Sequence, residues 1–221
     1  MPITIDGTGT ITGATTLAST VASPTFTTPA LGTPASGILT SCTGYAAANL
    51  PAGSVIQVVS THKGSTFSGT SVLDNGGYFV DVTGLSASIT PTSSSSTILI
   101  LTTLYAGNSN MYQFSYRIKR TIGATTTFPI LGTTEGGRPI STGHVGSYST
   151  YNIDSTYGTV NAGGNHRDSP NTTLAITYQV QLGSYSSVPI VYVNRSYAFQ
   201  ASANDFETIP VSTIILMEIA G

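Results

Sequence analysis

Between Gly7 and His62 the chain runs for 56 residues without one Asp, Glu, Lys or Arg. The stretch is built from Thr, Ser, Gly, Ala and Pro, with a lone large apolar residue every few positions. It carries too little apolar surface to bury itself and too little charge to behave as an ordinary solvated tail. Sharing the segment among identical chains resolves the conflict, because each copy lends the others its few aliphatics and its backbone hydrogen bonds. A fibrous homo-oligomer is predicted, rather than a free enzyme.

Charged residues make up 7% of the 221 positions, against about a quarter in an ordinary soluble domain. Thr (37) and Ser (28) fill the space. Thr is β-branched and favours strands, and Ser and Gly favour turns. No stretch shows sustained 3.6-residue apolar spacing between caps. An all-β fold is expected.

Net charge is −2, and five of the seven basic residues (Arg117, Lys119, Arg120, Arg138, Arg167) fall between positions 117 and 167 without a continuous run. A phosphate-binding protein needs a basic face, so neither nucleic acid nor an anionic membrane surface is an expected partner. The longest apolar runs, Ile98 to Leu101 and Ile214 to Met217, are far too short to span a bilayer, so no membrane insertion is expected. Cys42 is the only cysteine, which leaves no intrachain disulfide. The opening Met1-Pro2-Ile3-Thr4-Ile5-Asp6 has neither a basic nor an apolar region of signal-peptide type. A soluble chain made in a reducing compartment is expected.

The chain divides near Pro51. Residues 1–50 read as an extended shaft or attachment segment, because recurrent Gly and Pro exclude long regular strands. Ile11, Leu17, Val21, Phe26, Leu31 and Ile38 are spaced along it for burial against neighbours. A disordered linker is the alternative that the same composition allows. Residues 51–221 read as one β domain. Val55 to Val59, Tyr78 to Val82, Ser86 to Thr90, Pro189 to Val193 and Ser212 to Ile219 are expected strands, with a turn at Gly84-Leu85. Thr97 to Tyr105 is nearly all aliphatic and is expected at the centre of a sheet. From Met111 to Lys119, Tyr112, Phe114, Tyr116 and Ile118 alternate with Gln113, Ser115, Arg117 and Lys119. The same alternation places Leu174, Ile176, Tyr178, Val180 and Leu182 on one face. Such strands without crossover helices predict an antiparallel β-sandwich of jelly-roll type. Residues 132–170 break the rhythm and read as a long loop, a feature that is often functional.

Particular phrases add to this. Thr28-Pro29-Ala30-Leu31-Gly32-Thr33-Pro34-Ala35-Ser36-Gly37, followed by Leu39-Thr40-Ser41-Cys42-Thr43-Gly44, resembles text in tailed-phage fibre proteins, especially marine and cyanobacterial ones. Val82-Thr83-Gly84-Leu85-Ser86, Ile89-Thr90-Pro91, Asp168-Ser169-Pro170, Asn194-Arg195-Ser196 and the ending Met217-Glu218-Ile219-Ala220-Gly221 are similar to a domain of the same proteins. The resemblance implies a homotrimeric virion fibre, made in the host cytoplasm. Its N-terminal residues 1–50 would dock to a tail, baseplate or capsid protein, and its C-terminal domain would face the host. Residues 132–170 carry none of the familiar text, which suits a variable recognition loop.

Catalytic constellations are sparse. Of the nine carboxylates, only Asp205 and Glu207 are close in sequence. On a strand they would share a face as a glycosidase pair does, although a solvated pair is the simpler explanation. His166-Arg167-Asp168 with His144 could gather around a metal, although scattered histidines without dedicated spacing are more often solvated loop residues. Cys42 reads as an inert thiol. Asn171-Thr172-Thr173 and Asn194-Arg195-Ser196 match the glycosylation acceptor pattern, to which no role is assigned. No catalytic residue, metal or cofactor is therefore expected.

The tyrosines offer more. Tyr148, Tyr151 and Tyr157 stand among Gly, Ser, Thr and Asn, with His144, Asn152 and His166 in the same region. Tyr in such company supplies rigid amphipathic contact area with adaptable hydrogen bonding. These six residues are the candidate receptor contacts for a surface glycan or protein, with packing of an irregular hairpin or trimer interface as the rival role for the tyrosines. A non-enzymatic, multivalent host-attachment fibre is the expected function. A capsid decoration or head-fibre protein and a glycan-cleaving tailspike are the alternatives.

Overall fold

A computed structural model describes residues 50–74, 77–108, 114–136, 140–145, 159–184, 190–197 and 208–221. Twelve strands are found among them and no helix: β1 (Val55–Lys63), β2 (Phe67–Thr70), β3 (Val72–Asp74), β4 (Gly77–Ile89), β5 (Thr97–Asn108), β6 (Phe114–Ile122), β7 (Thr125–Thr127), β8 (Gly143–Val145), β9 (Val160–Asp168), β10 (Ile176–Ser184), β11 (Ile190–Val193) and β12 (Ser212–Ile219). All pairings are antiparallel. The predicted shaft before residue 50 lies outside the described residues.

The aliphatic run that begins at Thr97 becomes β5, the centre of the first sheet. One edge of β5 takes β12, from Thr97↔Ile219 to Thr103↔Thr213, and then β11, at Ala106 to Asn108. Its other edge takes β9, from Ile98↔Asp168 to Ala106↔Val160. β1 pairs with β12, and β2 with β11. The second sheet runs β3-β4-β10-β6, and the far edge of β6 takes β7 and β8. Thr142 bridges the space between those two. Its amide donates to the Tyr116 carbonyl (2.9 Å), and its hydroxyl accepts from the Ile118 amide (3.0 Å) and donates to the Ile130 carbonyl (2.6 Å).

The period-2 pattern explains how the sheets meet. Ile98, Ile100, Leu104, Ile214 and Leu216 project from the first sheet, and Phe114, Tyr116, Ile118, Ile176, Tyr178, Val180 and Leu182 from the second, into one buried core. Each fully buried aliphatic contributes about 2 kcal/mol. Leu174, expected on this face, precedes β10 and is exposed, while Tyr112 lies outside the described residues.

The single strand β4 (Gly77–Ile89) stands where two strands and a turn are expected. On β10, Gln179 faces Ser86 and Gln181 faces Asp81, so Val82 to Leu85 bulge against Val180 alone. Gly84 takes φ +82°, open to glycine without strain. Gln179 Nε2 donates to the Val82 and Leu85 carbonyls (2.9 and 3.1 Å), which the bulge removes from the ladder. Val82 and Leu85 themselves reach the core. The 132–170 stretch likewise contains β8 and the nine-residue β9, whose Asn161, Gly163, Asn165 and Arg167 face outward and conceal the pattern from an aliphatic count.

The two outer faces differ in chemistry. That of the second sheet carries Ser88, Thr177, Asp81, Gln181, Arg117 and Lys119, whereas the first sheet presents Val58, Ile215, Met217, Leu99 and Leu101 outward among Ser60, His62, Thr213, Thr103, Asn165 and Arg167.

Candidate functional site

The sequence-predicted recognition residues gather around the connection from β8 to β9. β8 belongs to the second sheet and β9 to the first, so this connection passes from one sheet to the other. Tyr148, Tyr151, Asn152 and Tyr157 lie outside the described residues, as do Asp205 and Glu207. His144 and His166 are described: His144 lies in β8, where the connection begins, and His166 lies near the far end of β9 (Val160–Asp168), well beyond it.

His144 pairs across the ladder with Ser115, and its Nδ1 lies 2.9 Å from the Ser115 hydroxyl. His166 Nε2 lies 3.1 Å from the Tyr116 hydroxyl, with the rings tilted at 6.1 Å. Ser115 and Tyr116 are neighbours on one strand and therefore point to opposite faces. The structure thus separates the two histidines, His144 on the solvent side and His166 on the core side. Burial holds the His166 pKa below the usual imidazole value. The Tyr116 phenol is raised by burial, opposed by a hydrogen bond with Thr102.

Asp168 does share the inner face of β9 with His166, but its carboxylate is already engaged. Arg120 Nη1 donates to both oxygens (2.9 and 2.8 Å), and the Tyr178 phenol donates to Oδ2 (2.7 Å). Among the described residues no group of three or more His, Cys, Asp or Glu is placed to hold a metal ion.

Other described carboxylates are also committed. On the outer face of the second sheet, Arg117 is only 1% exposed although its strand position faces outward. Its guanidinium lies between the rings of Phe79 (4.0 Å) and Phe128 (3.9 Å). Nη2 donates to Asp74 Oδ2 and Nε to Gln181 Oε1, both at 2.6 Å. Gln181 passes the network on to Asp81 (2.6 Å), which also pairs with Lys119. Phe79 lies over Gly183, where a Cβ would collide with the ring. Burial draws the Arg117 pKa down, opposed by Asp74 and Asp81.

Glu218 is completely buried at the far end of β12. It accepts from the Thr92 amide (2.6 Å), the Thr92 hydroxyl (2.8 Å) and Gln57 Nε2 (2.6 Å). Burial pushes its pKa up, but the bonds from Gln57 and Thr92 outweigh this and hold it below the ordinary range. A pocket of about 150 Å3, lined by Thr92, Ser93, Ser95, Ser96 and Gly221 among others, opens beside it.

The two acceptor-pattern asparagines both take positive φ. Asn194 is fully buried, with its amide donating to the Lys63 and Ser65 carbonyls (2.6 and 3.1 Å) and its Oδ1 accepting from Ser212 (2.6 Å). It is a bolt between β1, β11 and β12. The adjoining Arg195 stacks 4.7 Å from the Tyr192 ring, and the exposed Tyr197 leans on the same ring at 6.2 Å. This aromatic–cation surface escaped the sequence pattern because Tyr192 sits in a short strand whose partner is set by topology.

Neither the protein-family models nor the curated proteins yield a match to this sequence.

Proposed function

We propose that the chain is the subunit of a homotrimeric virion fibre that attaches to a host-cell surface glycan or protein without cleaving it. In this reading residues 1–50 form the shared shaft and dock to a virion protein, and the two-sheet domain is a jelly-roll-like sandwich at the distal end. Adhesion is assigned to Tyr148, Tyr151, Asn152 and Tyr157, together with His144 and His166. Three weak sites held together replace one tight site.

The observation that carries this reading is the union, in one chain, of a 56-residue uncharged Thr/Ser/Pro segment with an antiparallel two-sheet domain. The domain's ionic side chains support it. Asp74, Asp81, Asp168 and Glu218 are each held by partners within the fold, which suits a rigid scaffold more than a reaction centre.

The test is adsorption of the host by particles that carry Tyr148→Ala, Tyr151→Ala and Tyr157→Ala together. Adsorption should fall by at least about tenfold, as expected when aromatic contacts are removed from a multivalent site. Unchanged adsorption with an intact fold would place recognition elsewhere. Oligosaccharide released from host envelope glycans by the purified chain would favour the cleaving tailspike, and immunogold label on the shell would favour the decoration protein.

A further inference from the structure

We infer that the pocket beside Glu218 binds a primary ammonium group on an aliphatic stem, of the kind that ends a lysine side chain or a free alkylamine. The inference stands apart from the attachment reading above, since it rests on the two-sheet domain alone.

Glu218 lacks a counter-charge. On β12 it follows Ile214 and Leu216 at period two on the core side, and like them it is fully buried. Its Oε1 accepts from the Thr92 amide and hydroxyl, and its Oε2 accepts from Gln57 Nε2. These donors favour the ionised carboxylate but bring no positive charge. The ion pairs among the described residues are Arg117–Asp74, Lys119–Asp81 and Arg120–Asp168. Glu218 belongs to none of them. Buried charges in folded proteins are as a rule paired with an opposite charge or a metal, so a cation from outside the fold completes the arrangement.

The pocket gives that cation a place. Its volume of about 150 Å3 equals about five water molecules, more than one bare metal ion fills and enough for an ammonium with a few methylenes. Leu50 and Ile56 form an apolar part of the lining, and Thr92, Ser93, Ser95 and Ser96 a hydroxyl part. An ammonium has three donors and no acceptor, and every one of these hydroxyls can accept. Thr92 links the pocket to the buried charge. Its hydroxyl proton goes to Glu218, which leaves its oxygen lone pairs for an ammonium, and each bond of such a chain strengthens the other. Ser96 is 1% exposed, and its hydroxyl has no hydrogen-bond partner in the fold. A donor in the pocket satisfies it. The aliphatic stem rests on Leu50 and Ile56, as the methylenes of a lysine do on apolar surface. A multivalent metal suits the site less, because no second carboxylate lines it.

The test titrates the isotope-labelled full chain, followed by amide NMR shifts, with n-butylamine, Nα-acetyl-lysine methylamide, n-butanol and potassium chloride at one ionic strength. The Thr92, Ser96 and Gly221 amides should shift saturably with both amines, and butanol should bind at least about tenfold more weakly, since it lacks the charge-assisted bonds. Tighter binding of the lysine derivative assigns the site to a protein side chain, and equal binding assigns it to free amines; either result supports the inference. No saturable shift with either amine at about 100 mM, well above the dissociation constants of weak small-ligand sites, overturns it. Butanol binding as well as the amines overturns it too, as does potassium saturating these amides while the amines leave them unmoved. Thr92→Val keeps the branched shape and removes the hydroxyl, so the folded variant should bind butylamine at least about tenfold more weakly. Unchanged affinity overturns the inference. If that variant does not fold, Ser95→Leu, at an exposed position of the lining, decides: loss of the amine shifts supports the site, and unchanged shifts overturn it.

Discussion

The Tyr178 phenol, on β10, donates a 2.7 Å hydrogen bond to Asp168, on β9, and so joins the inner surfaces of two different sheets. Arg120 from β6 closes on the same carboxylate. Burial, with the hydrogen bond and charge of Asp168, pushes the Tyr178 phenol far above its usual value, so it stays protonated and available as a donor. The contact is a polar staple that ties β9 of one sheet to β10 and β6 of the other.

Asp168→Asn should therefore destabilise the domain by about 3 kcal/mol, because Arg120 is left without its anion in a largely buried place. Urea unfolding checks it through a lower midpoint at an unchanged slope. A loss under 1 kcal/mol would mean that the staple is not a substantial stabilising contact.

Arg117→Lys keeps the charge but loses the planar group between Phe79 and Phe128 and the donor to Gln181. A destabilisation of about 2 kcal/mol is expected. The thermal midpoint should fall clearly below that of Lys119→Arg, which alters the more exposed cation beside it.

Gly84→Ala places a Cβ on a residue with φ +82°, at a cost of about 1–2 kcal/mol. The open space around the position, with Lys63 Nζ 3.6 Å away, means the cost is conformational rather than steric. Gly53→Ala, also at positive φ in open space, should show a comparable loss in the same melt.

The His166 pKa is lowered in the fold, so below about pH 6.5 the unfolded chain binds a proton before the folded one does. The stability this neutral imidazole contributes is whole above that pH and is lost as pH falls through the folded value. Denaturant midpoints at pH 7.5 and pH 5 should differ more for the wild type than for His166→Gln, since His62 and His144 are common to both. Equal differences would exclude His166 as the source.

Most strands were legible in the sequence because apolar alternation is a local property. Phe114, Tyr116 and Ile118, and Ile176, Tyr178 and Val180, point inward where period two places them. β9 was not legible, since Asn161-Ala162-Gly163-Gly164-Asn165 has strand pairing without strand composition; its partner β5 supplies the aliphatic side. The bulge in β4 reads as a turn in the sequence because Gly84-Leu85 looks like one, and only Gln179, distant in sequence, lets the strand continue. Of the candidate recognition residues, His144 and His166 are close in the sequence reading, but a sequence cannot show that adjacent strand positions, Ser115 and Tyr116, send them to opposite faces.

By itself the sequence determined that the described domain is all-β, that its core strands alternate, and that the chain's first quarter carries almost no charge of its own. Those are consequences of residue type and spacing along one strand. Only tertiary structure decided that Arg117 is buried between two rings, that Asn194 is a bolt rather than a surface acceptor, and that Val58, Met217, Leu99 and Arg167 share one row. Each of these depends on register between strands far apart in the chain, where a side chain's neighbours come from long-range pairing and not from the residues beside it.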